Sequence, residues 1–336
     1  MNTSAHTPLR FGVLGAARIT PAALIDPATR LDVDVVAVAA RDPQRAEAFA
    51  KANDVSSVSR SYAELLERDD LDAVYLPLPT SQRLEWTLQA LERGMHVLAE
   101  KPIAMDARQA RAMVDTAEAR GLVLAEGFHY VFHPMFARAI QLLDEGAIGK
   151  VEHLDVVFDG AAPSGPEGAI YLDPALGGGV LFHQACYALH AVRSLARSEP
   201  EVVRATATMG ETGVDESVDV ELAFPSGATA RARSSMEQGA QLLMQATVRG
   251  ARAVMTLDNF VGPHYGNVDP SLGGRISVTT GTDTILDESF AGETTYWYQL
   301  RAFSEAIAGG PALPVQGEGA VANMTLIDAV RDAAGI

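Results

Sequence analysis

Glu100-Lys101-Pro102 is the tripeptide of this 336-residue chain best placed to handle a proton. It follows Val97-Leu98-Ala99, an apolar run that reads as a buried strand, so the lysine falls at the strand's end. In an open α/β sheet, ligands bind just beyond the carboxyl ends of the strands. A lysine partly desolvated there loses basicity, and proton transfer becomes feasible. A solvated lysine closing a strand would look the same locally; the preceding chain decides between the two. A second group of residues stands further on. Gly177-Gly178-Gly179 leads into a helical segment carrying His183 and Tyr187, whose spacing of four puts them on one helix face. A phenol beside a cation can act as general acid or base, and an imidazole titrates at about 6.5.

The elements that position Lys101 begin with RFGVLGA at 10–16, a short strand running into a glycine turn. A helical segment over 17–28 and a second strand over 33–39 complete a βαβ unit, the setting a dinucleotide site requires. Counted from Gly15, the glycine fingerprint reads Gly15-Ala16-Ala17-Arg18-Ile19-Thr20. Alanine in the second place still lets the backbone approach a pyrophosphate, whereas Thr20 in the third packs less tightly. After the second strand comes Ala39-Ala40-Arg41-Asp42, with Ala40 where an NAD-preferring site presents a carboxylate. The planar guanidinium of Arg41 suits a 2′-phosphate and stacking on adenine, so NADP(H) is expected in preference to NAD(H). A strand over 72–76, a loop over 77–81 with Pro77, Leu78 and Thr80, and a helix over 83–93 follow, the helix closed by Gly94. Then come a strand over 96–99, a helix over 108–120 closed by Gly121 and a strand over 122–126. This alternation predicts a doubly wound parallel sheet in a domain spanning 1–126.

From 127 to 336 the pattern changes. Apolar alternation marks strands near 151–158, 202–209, 218–224, 228–235, 245–249 and 253–257, as in a sheet with one covered face. The other face is left for helices or a subunit partner. Amphipathic helices are expected over 298–308 and 319–334, where they can pack back on the first domain.

Composition excludes several functions. The net charge of −17, from 26 basic and 43 acidic residues, disfavours nucleic-acid and anionic-membrane partners, which need a basic surface. Cys186 is the single cysteine, so neither an intrachain disulfide framework nor a Cys-based zinc cluster is available. No apolar run approaches membrane-spanning length and the N-terminus lacks a signal-like core, so a cytoplasmic protein is expected. His183 and His190 could share a helix face, but no third metal ligand is evident and no metal is expected. HExxH, GxSxG and a Walker lysine turn are all missing, which argues against hydrolysis and phosphoryl transfer.

The glycine turn, PLPTSQRLEWTLQALERGMHVLAEKPIAM at 77–105, EGFHYVFHPMF at 126–136, LGGGVLFHQACY at 176–187 and YQLRAFSEAIAGG at 298–310 together resemble the Gfo/Idh/MocA oxidoreductases. The resemblance implies a Rossmann domain followed by an α+β domain with a large, mostly antiparallel sheet. It also implies NAD(P)-linked chemistry on a sugar, cyclitol or related carbonyl compound. Lys101 corresponds to the family's EKP lysine, beside nicotinamide and substrate, with Glu100 available to orient it. Many members carry Asp-x-x-x-His in the second motif and a dihydrodiol- or xylose-dehydrogenase-like subset Asp-x-x-x-Tyr. This chain keeps Tyr187 but has His183 in place of the aspartate. Arg83 stands where relatives usually have histidine near the nicotinamide, and Val131 where many have arginine. His129, Tyr171 and His133 are further candidates for the substrate pocket, and a homo-oligomer, dimer or tetramer, is expected through the C-terminal sheet.

The expected activity is therefore NADP(H)-dependent hydride transfer to or from a sugar-like or other polyhydroxylated substrate, with Lys101, Tyr187 and His183 at the reacting oxygen. Two alternatives stay open. One is a dinucleotide-binding sensor that has lost catalysis; the other is NAD(P)-assisted glycoside cleavage or epimerisation.

Overall fold

The computed structural model describes residues 8–262 and 273–336, which divide into two compact units. The first comprises residues up to Ala104, Arg108–Gly127 and Tyr296–Ala320; the second comprises Met105–Ala107, Phe128–Thr295 and Val321–Ile336. No helix among the described residues is long and apolar enough to cross a membrane.

The first unit is built on six parallel strands: β1 (Leu9–Leu14), β2 (Val33–Ala39), β3 (Ser57–Ser59), β4 (Ala73–Leu76), β5 (His96–Ala99) and β6 (Leu124–Glu126), in the order β3-β2-β1-β4-β5-β6. Strand β4 is buried at all four positions, as a central strand covered on both faces must be. The strand order reverses between β1 and β4, so the loops leaving these two strands flank the crevice where such sheets take ligands. Residues 296–320 belong to this unit: Phe303 lies on Phe11 with ring centroids 5.8 Å apart, and the Glu126 amide donates to the Val315 carbonyl at 3.0 Å.

Three expected bounds shift, each for a local reason. The helical segment over 17–28 is a turn followed by a π-helix, Pro21–Ile25, and a single α-turn, Asp26–Ala28. Pro21 and Pro27 carry no backbone N–H, so a regular ladder cannot run through them. The helix expected from 83 is Thr80–Glu92, which confines the preceding loop to 77–79; Pro79, with ψ 146°, is its last extended residue. Strand β6 starts at Leu124 because the Leu122 amide still donates to Ala117 at 3.0 Å, closing the helix Ala107–Arg120 behind Gly121. A short helix, Tyr62–Leu66, was not anticipated. Its signal was present: Ser61 accepts from the Glu64 amide at 3.1 Å while the Glu64 carboxylate accepts from Arg60.

The second unit holds eight strands: β7 (Val151–Asp159), β8 (Glu201–Met209), β9 (Asp215–Ala223), β10 (Thr229–Ser235), β11 (Leu243–Gly250), β12 (Val254–Asp258), β13 (Gly274–Thr280) and β14 (Asp283–Phe290). Their order is β14-β13-β12-β11-β7-β10-β9-β8, and every pairing is antiparallel except β7 with β10. The sheet is thus large and mostly antiparallel. Strands β13 and β14 and the helix Pro134–Asp144 go beyond the sequence reading. One face is covered by the helix Cys186–Ala196, which packs on β7 and β10; small residues on β10, Ala230 and Ala232, let it come close. The opposite face carries exposed ion pairs, Arg231–Asp219 and Arg275–Asp287, of the kind that contributes little to stability.

Candidate active site

In the first unit the β1 loop turns at Gly15, whose φ of +122° lies in the region that side chains avoid. A Cβ there would sit 3.2 Å from Leu78 Cδ2, so glycine also lets the β1 loop lie against the β4 loop. The Gly15 amide donates to Ala39 at 2.8 Å, which ties the turn to the end of β2. Ala16 and Ala17 are half-buried, Ile19 is half-buried and Arg18 is exposed. Past β2, the Asp42 side chain accepts from the Gln44 amide at 2.9 Å and caps the helix Pro43–Ala52. The one carboxylate close behind β2 is therefore engaged by backbone, while Arg41 beside it is exposed. Burial pushes the Tyr62 phenol up, and the charges of Arg41 and Arg45 pull it back. Arg45, which the sequence reading passed over, also donates to the Ala16 carbonyl at 3.2 Å. Its position three residues after Asp42, on the first turn of a helix, was the available signal.

Lys101 leaves the end of β5 and is 7 % exposed. Its turn is braced on both sides. Glu100 accepts a hydrogen bond from the Tyr75 hydroxyl at 2.7 Å. Burial, with the Glu100 charge adding to it, pushes the Tyr75 phenol well above its ordinary range, so Tyr75 remains a donor. On the other side the buried Arg83 guanidinium donates to the Leu78 carbonyl at 2.9 Å and to the Pro102 carbonyl. Arg83 thus joins the β4 loop, with Pro77, Leu78 and the buried Thr80, to the turn bearing Lys101. The Glu126 side chain adds a third brace, accepting from the Ile103 amide at 2.8 Å. Glu126 ends β6 and was read only as a strand residue; nothing local distinguishes it.

In the second unit Gly177-Gly178-Gly179 folds back on the chain before it. The Gly178 and Gly179 amides donate to the Asp173 and Tyr171 carbonyls at 2.9 and 2.8 Å. Gly179 has φ +103°, and a Cβ on it would lie 2.0 Å from Asp215 Oδ1, so no other residue fits. Asp215, on β9, accepts from the Leu181 amide at 2.7 Å and anchors the start of the π-helix Leu181–Ala185. Burial drives its carboxyl up to about 6 against the pull of that amide.

His183 and Tyr187 come from this one helical run, but their surroundings differ. His183 is stacked on Tyr171, with centroids 4.0 Å apart and planes 30° apart, and both rings are half-buried. Tyr187 is 1 % exposed and lies among Phe128, Tyr130 and Phe158, its hydroxyl 3.2 Å from His129 Nε2. The other nitrogen of His129, Nδ1, is 2.7 Å from Thr295 Oγ1. His190 stacks on Phe128 at 4.1 Å and meets the Tyr130 hydroxyl at 2.7 Å; burial pushes it down to about 3, so it is a neutral core residue. His133 caps the helix Pro134–Asp144 by accepting from the Met135 amide at 3.2 Å, a structural task the pocket assignment did not foresee.

Comparison with known proteins bears on both units. Residues 9–128 match the oxidoreductase family with an NAD-binding Rossmann fold, and residues 136–256 match the GFO/IDH/MocA C-terminal domain. The D-xylose 1-dehydrogenase (NADP(+)) 2 of Haloferax volcanii is 32% identical over 326 residues, 97% of each chain. A dTDP-3,4-didehydro-2,6-dideoxy-alpha-D-glucose 3-reductase of Streptomyces violaceoruber is 34% identical over 353 residues, covering 99% of this chain and 97% of that one. The crystal structure of a 3-ketoreductase from Actinomadura kijaniata in complex with NADP and TDP-benzene superposes with a TM-score of 0.87 at 28% identity, covering 97% of this chain and 98% of the other.

Proposed function

The chain belongs to the GFO/IDH/MocA oxidoreductases, and we propose that it reduces or oxidises a sugar-like or cyclitol carbonyl/alcohol with NADP(H). The observation that carries this reading is the bracing of Lys101, nearly buried on a turn held by Tyr75–Glu100 on one side and Arg83 on the other. A nearly buried lysine on a turn braced so firmly at a strand's carboxyl end is costly to build for any purpose other than aiming its charge.

The residues of the first unit fit a dinucleotide. The Gly15 turn ends β1, where a pyrophosphate would approach the backbone, and Asp42, engaged by the Gln44 amide beside exposed Arg41, suits a 2′-phosphate better than a bare ribose. The bound nicotinamide would supply the hydride chemistry; the protein supplies orientation and charge. In our reading Ala16, Ala17, Arg18 and Ile19 lie along the phosphates, and Pro77, Leu78, Thr80 and Arg83 shape the wall that the β4 loop provides. Lys101 stabilises negative charge on the substrate oxygen, and Tyr187 gives or takes the proton there. His183, stacked on Tyr171, and His129 bound the substrate. The xylose dehydrogenase and the dTDP-sugar reductase support a sugar-like substrate.

Titration with NADPH and with NADH, followed by nicotinamide fluorescence, tests the cofactor; a screen of sugar-like carbonyls tests the reaction. Arg41→Asp should weaken NADPH binding by roughly ten- to a hundredfold, the worth of about 1.5–3 kcal/mol for a charged hydrogen bond, and leave NADH nearly unchanged. Lys101→Met should keep NADPH affinity and lose about 10²–10⁴-fold in turnover. A wild-type protein that binds neither nucleotide would overturn the proposal.

A further inference from the structure

We infer that His129 and Thr295 fix the direction of the Tyr187 phenolic proton, through an imidazole tautomer in which Nε2–H donates to the Tyr187 oxygen and Nδ1 accepts from the Thr295 hydroxyl. The inference rests on the reading of Tyr187 as the group that exchanges a proton with substrate. Two distances carry it. The Thr295–Nδ1 separation is 2.7 Å, the usual length of a bond donated by a hydroxyl, whereas N–H donors are commonest near 2.9–3.0 Å. The Tyr187–Nε2 separation is 3.2 Å, long for a hydroxyl donor and at the outer end of the N–H range. The pair of lengths selects one tautomer.

Burial makes the choice durable. His129 is 1 % exposed and Thr295 2 % exposed, so water does not compete for the two ring nitrogens. Tyr130 and, beyond it, His190, which is neutral, are among the titratable groups packed around Tyr187. In such a setting the tautomer of a histidine is set by the hydrogen bond its other nitrogen makes. Thr295 is the first residue of the helix Thr295–Ile307, so its hydroxyl position is held by the helix start.

The consequence is chemical. With Nε2–H as donor, the phenolic O–H is directed away from His129 and toward the substrate oxygen. As the phenol gives up its proton to a carbonyl that has received hydride, the same N–H stabilises the phenolate. In the oxidising direction the phenolate takes the alcohol's proton back. No proton leaves the imidazole, so His129 is a positioning residue that acts through Tyr187. The opposite tautomer would have the phenol donate to Nε2 and would oppose proton delivery.

The test uses the full chain with ¹⁵N-labelled histidine. His129→Gln assigns the His129 resonances by their loss. The wild type should show protonated Nε2 and unprotonated Nδ1. Thr295→Val, which removes the hydroxyl and keeps the shape, should move protonation toward Nδ1, and Thr295→Ser should restore the original pattern. In turnover, Thr295→Val should lower kcat about tenfold, the worth of one hydrogen bond, with KM and NADPH affinity unchanged. The same change placed in a Tyr187→Phe background should have no further effect. An unprotonated Nε2 in the wild type, or a Thr295→Val spectrum identical to it, overturns the inference. A wild type that binds NADPH but turns over no carbonyl would overturn the oxidoreductase reading instead, and the nitrogen spectra would still decide the tautomer.

Discussion

Asp215→Asn should change how the stability of the second unit depends on pH, because the carboxyl it removes is buried at a cost. In the folded chain Asp215 titrates at about 6, against an ordinary value of 3.8. Burial raises it most, and the Leu181 and Asp215 amides and the Arg331 charge oppose that rise. A folded state with the higher pKa holds its proton more tightly than the unfolded chain does. Between about pH 3.8 and 6, folding therefore takes up a proton, and stability falls as pH rises. A shift of about two units corresponds to about 3 kcal/mol, fully expressed above pH 6 and absent below pH 3.8. Carboxylates lowered by arginine partners, Asp219 and Asp287 among them, act in the opposite direction, so the absolute curve does not isolate Asp215. The difference between wild type and Asp215→Asn does, because those groups cancel. That difference should shift by about 3 kcal/mol in favour of the variant from pH 4 to pH 7. The assay must report the second unit. Trp86 and Trp297 both lie in the first, so intrinsic fluorescence would miss the effect. Hydrogen exchange at the Leu181 amide, corrected for its intrinsic pH dependence and set beside urea unfolding followed by circular dichroism, reads it directly. A wild-type-minus-variant difference that stays flat across that range would refute the reasoning.

Two other substitutions probe the scaffold around each half of the chemistry. Gly179→Ala places a methyl group on a left-handed backbone within 2.0 Å of the Asp215 carboxylate, and should cost about 3 kcal/mol or more, lowering the thermal midpoint of the second unit by roughly 6–12 °C. An unchanged midpoint in circular dichroism would count against the packing described. Phe11→Ala empties a fully buried site against Phe303 and should cost about 3–5 kcal/mol, visible in tryptophan fluorescence because it lies in the first unit; a loss below about 1 kcal/mol would mean that residues 296–320 do not pack on β1 as found.

The parts of the fold legible in the sequence are those specified by near neighbours. Strand β5 and the turn at Lys101 could be placed because His96–Ala99 is one apolar run with a glycine-closed helix on either side. His183 and Tyr187 could be placed on one helical run because local geometry relates them, but their separate surroundings, Tyr171 for the one and Phe128 with His129 for the other, could not be read. Arg83 shows where this stops. Its sequence position gave a pocket residue, whereas its guanidinium holds a carbonyl nineteen residues away. Asp215 meets Leu181 across 34 residues and His129 meets Thr295 across 166, and no periodicity encodes contacts of that length. The hairpin of β13 and β14 is a different kind of miss: Gly281, with φ +59°, and the alternation of Ile276 and Val278 were signals within reach.

Those long-range contacts share a physical character that bears on function. Asp215 keeps a buried carboxylate where an amide would be cheaper, Gly179 occupies a left-handed conformation, and Arg83 buries a guanidinium to hold two carbonyls. None of them builds core: the apolar strands β1, β4 and β5 do that without help. Each instead fixes the backbone from which Lys101, His183 or Tyr187 projects. Local choices that oppose stability and cluster on the supports of a few polar side chains are expected where geometry is under selection rather than stability alone. On that argument, substitutions at Arg83 or Asp215 should disturb turnover more than they disturb folding, and substitutions in the apolar strands should do the reverse.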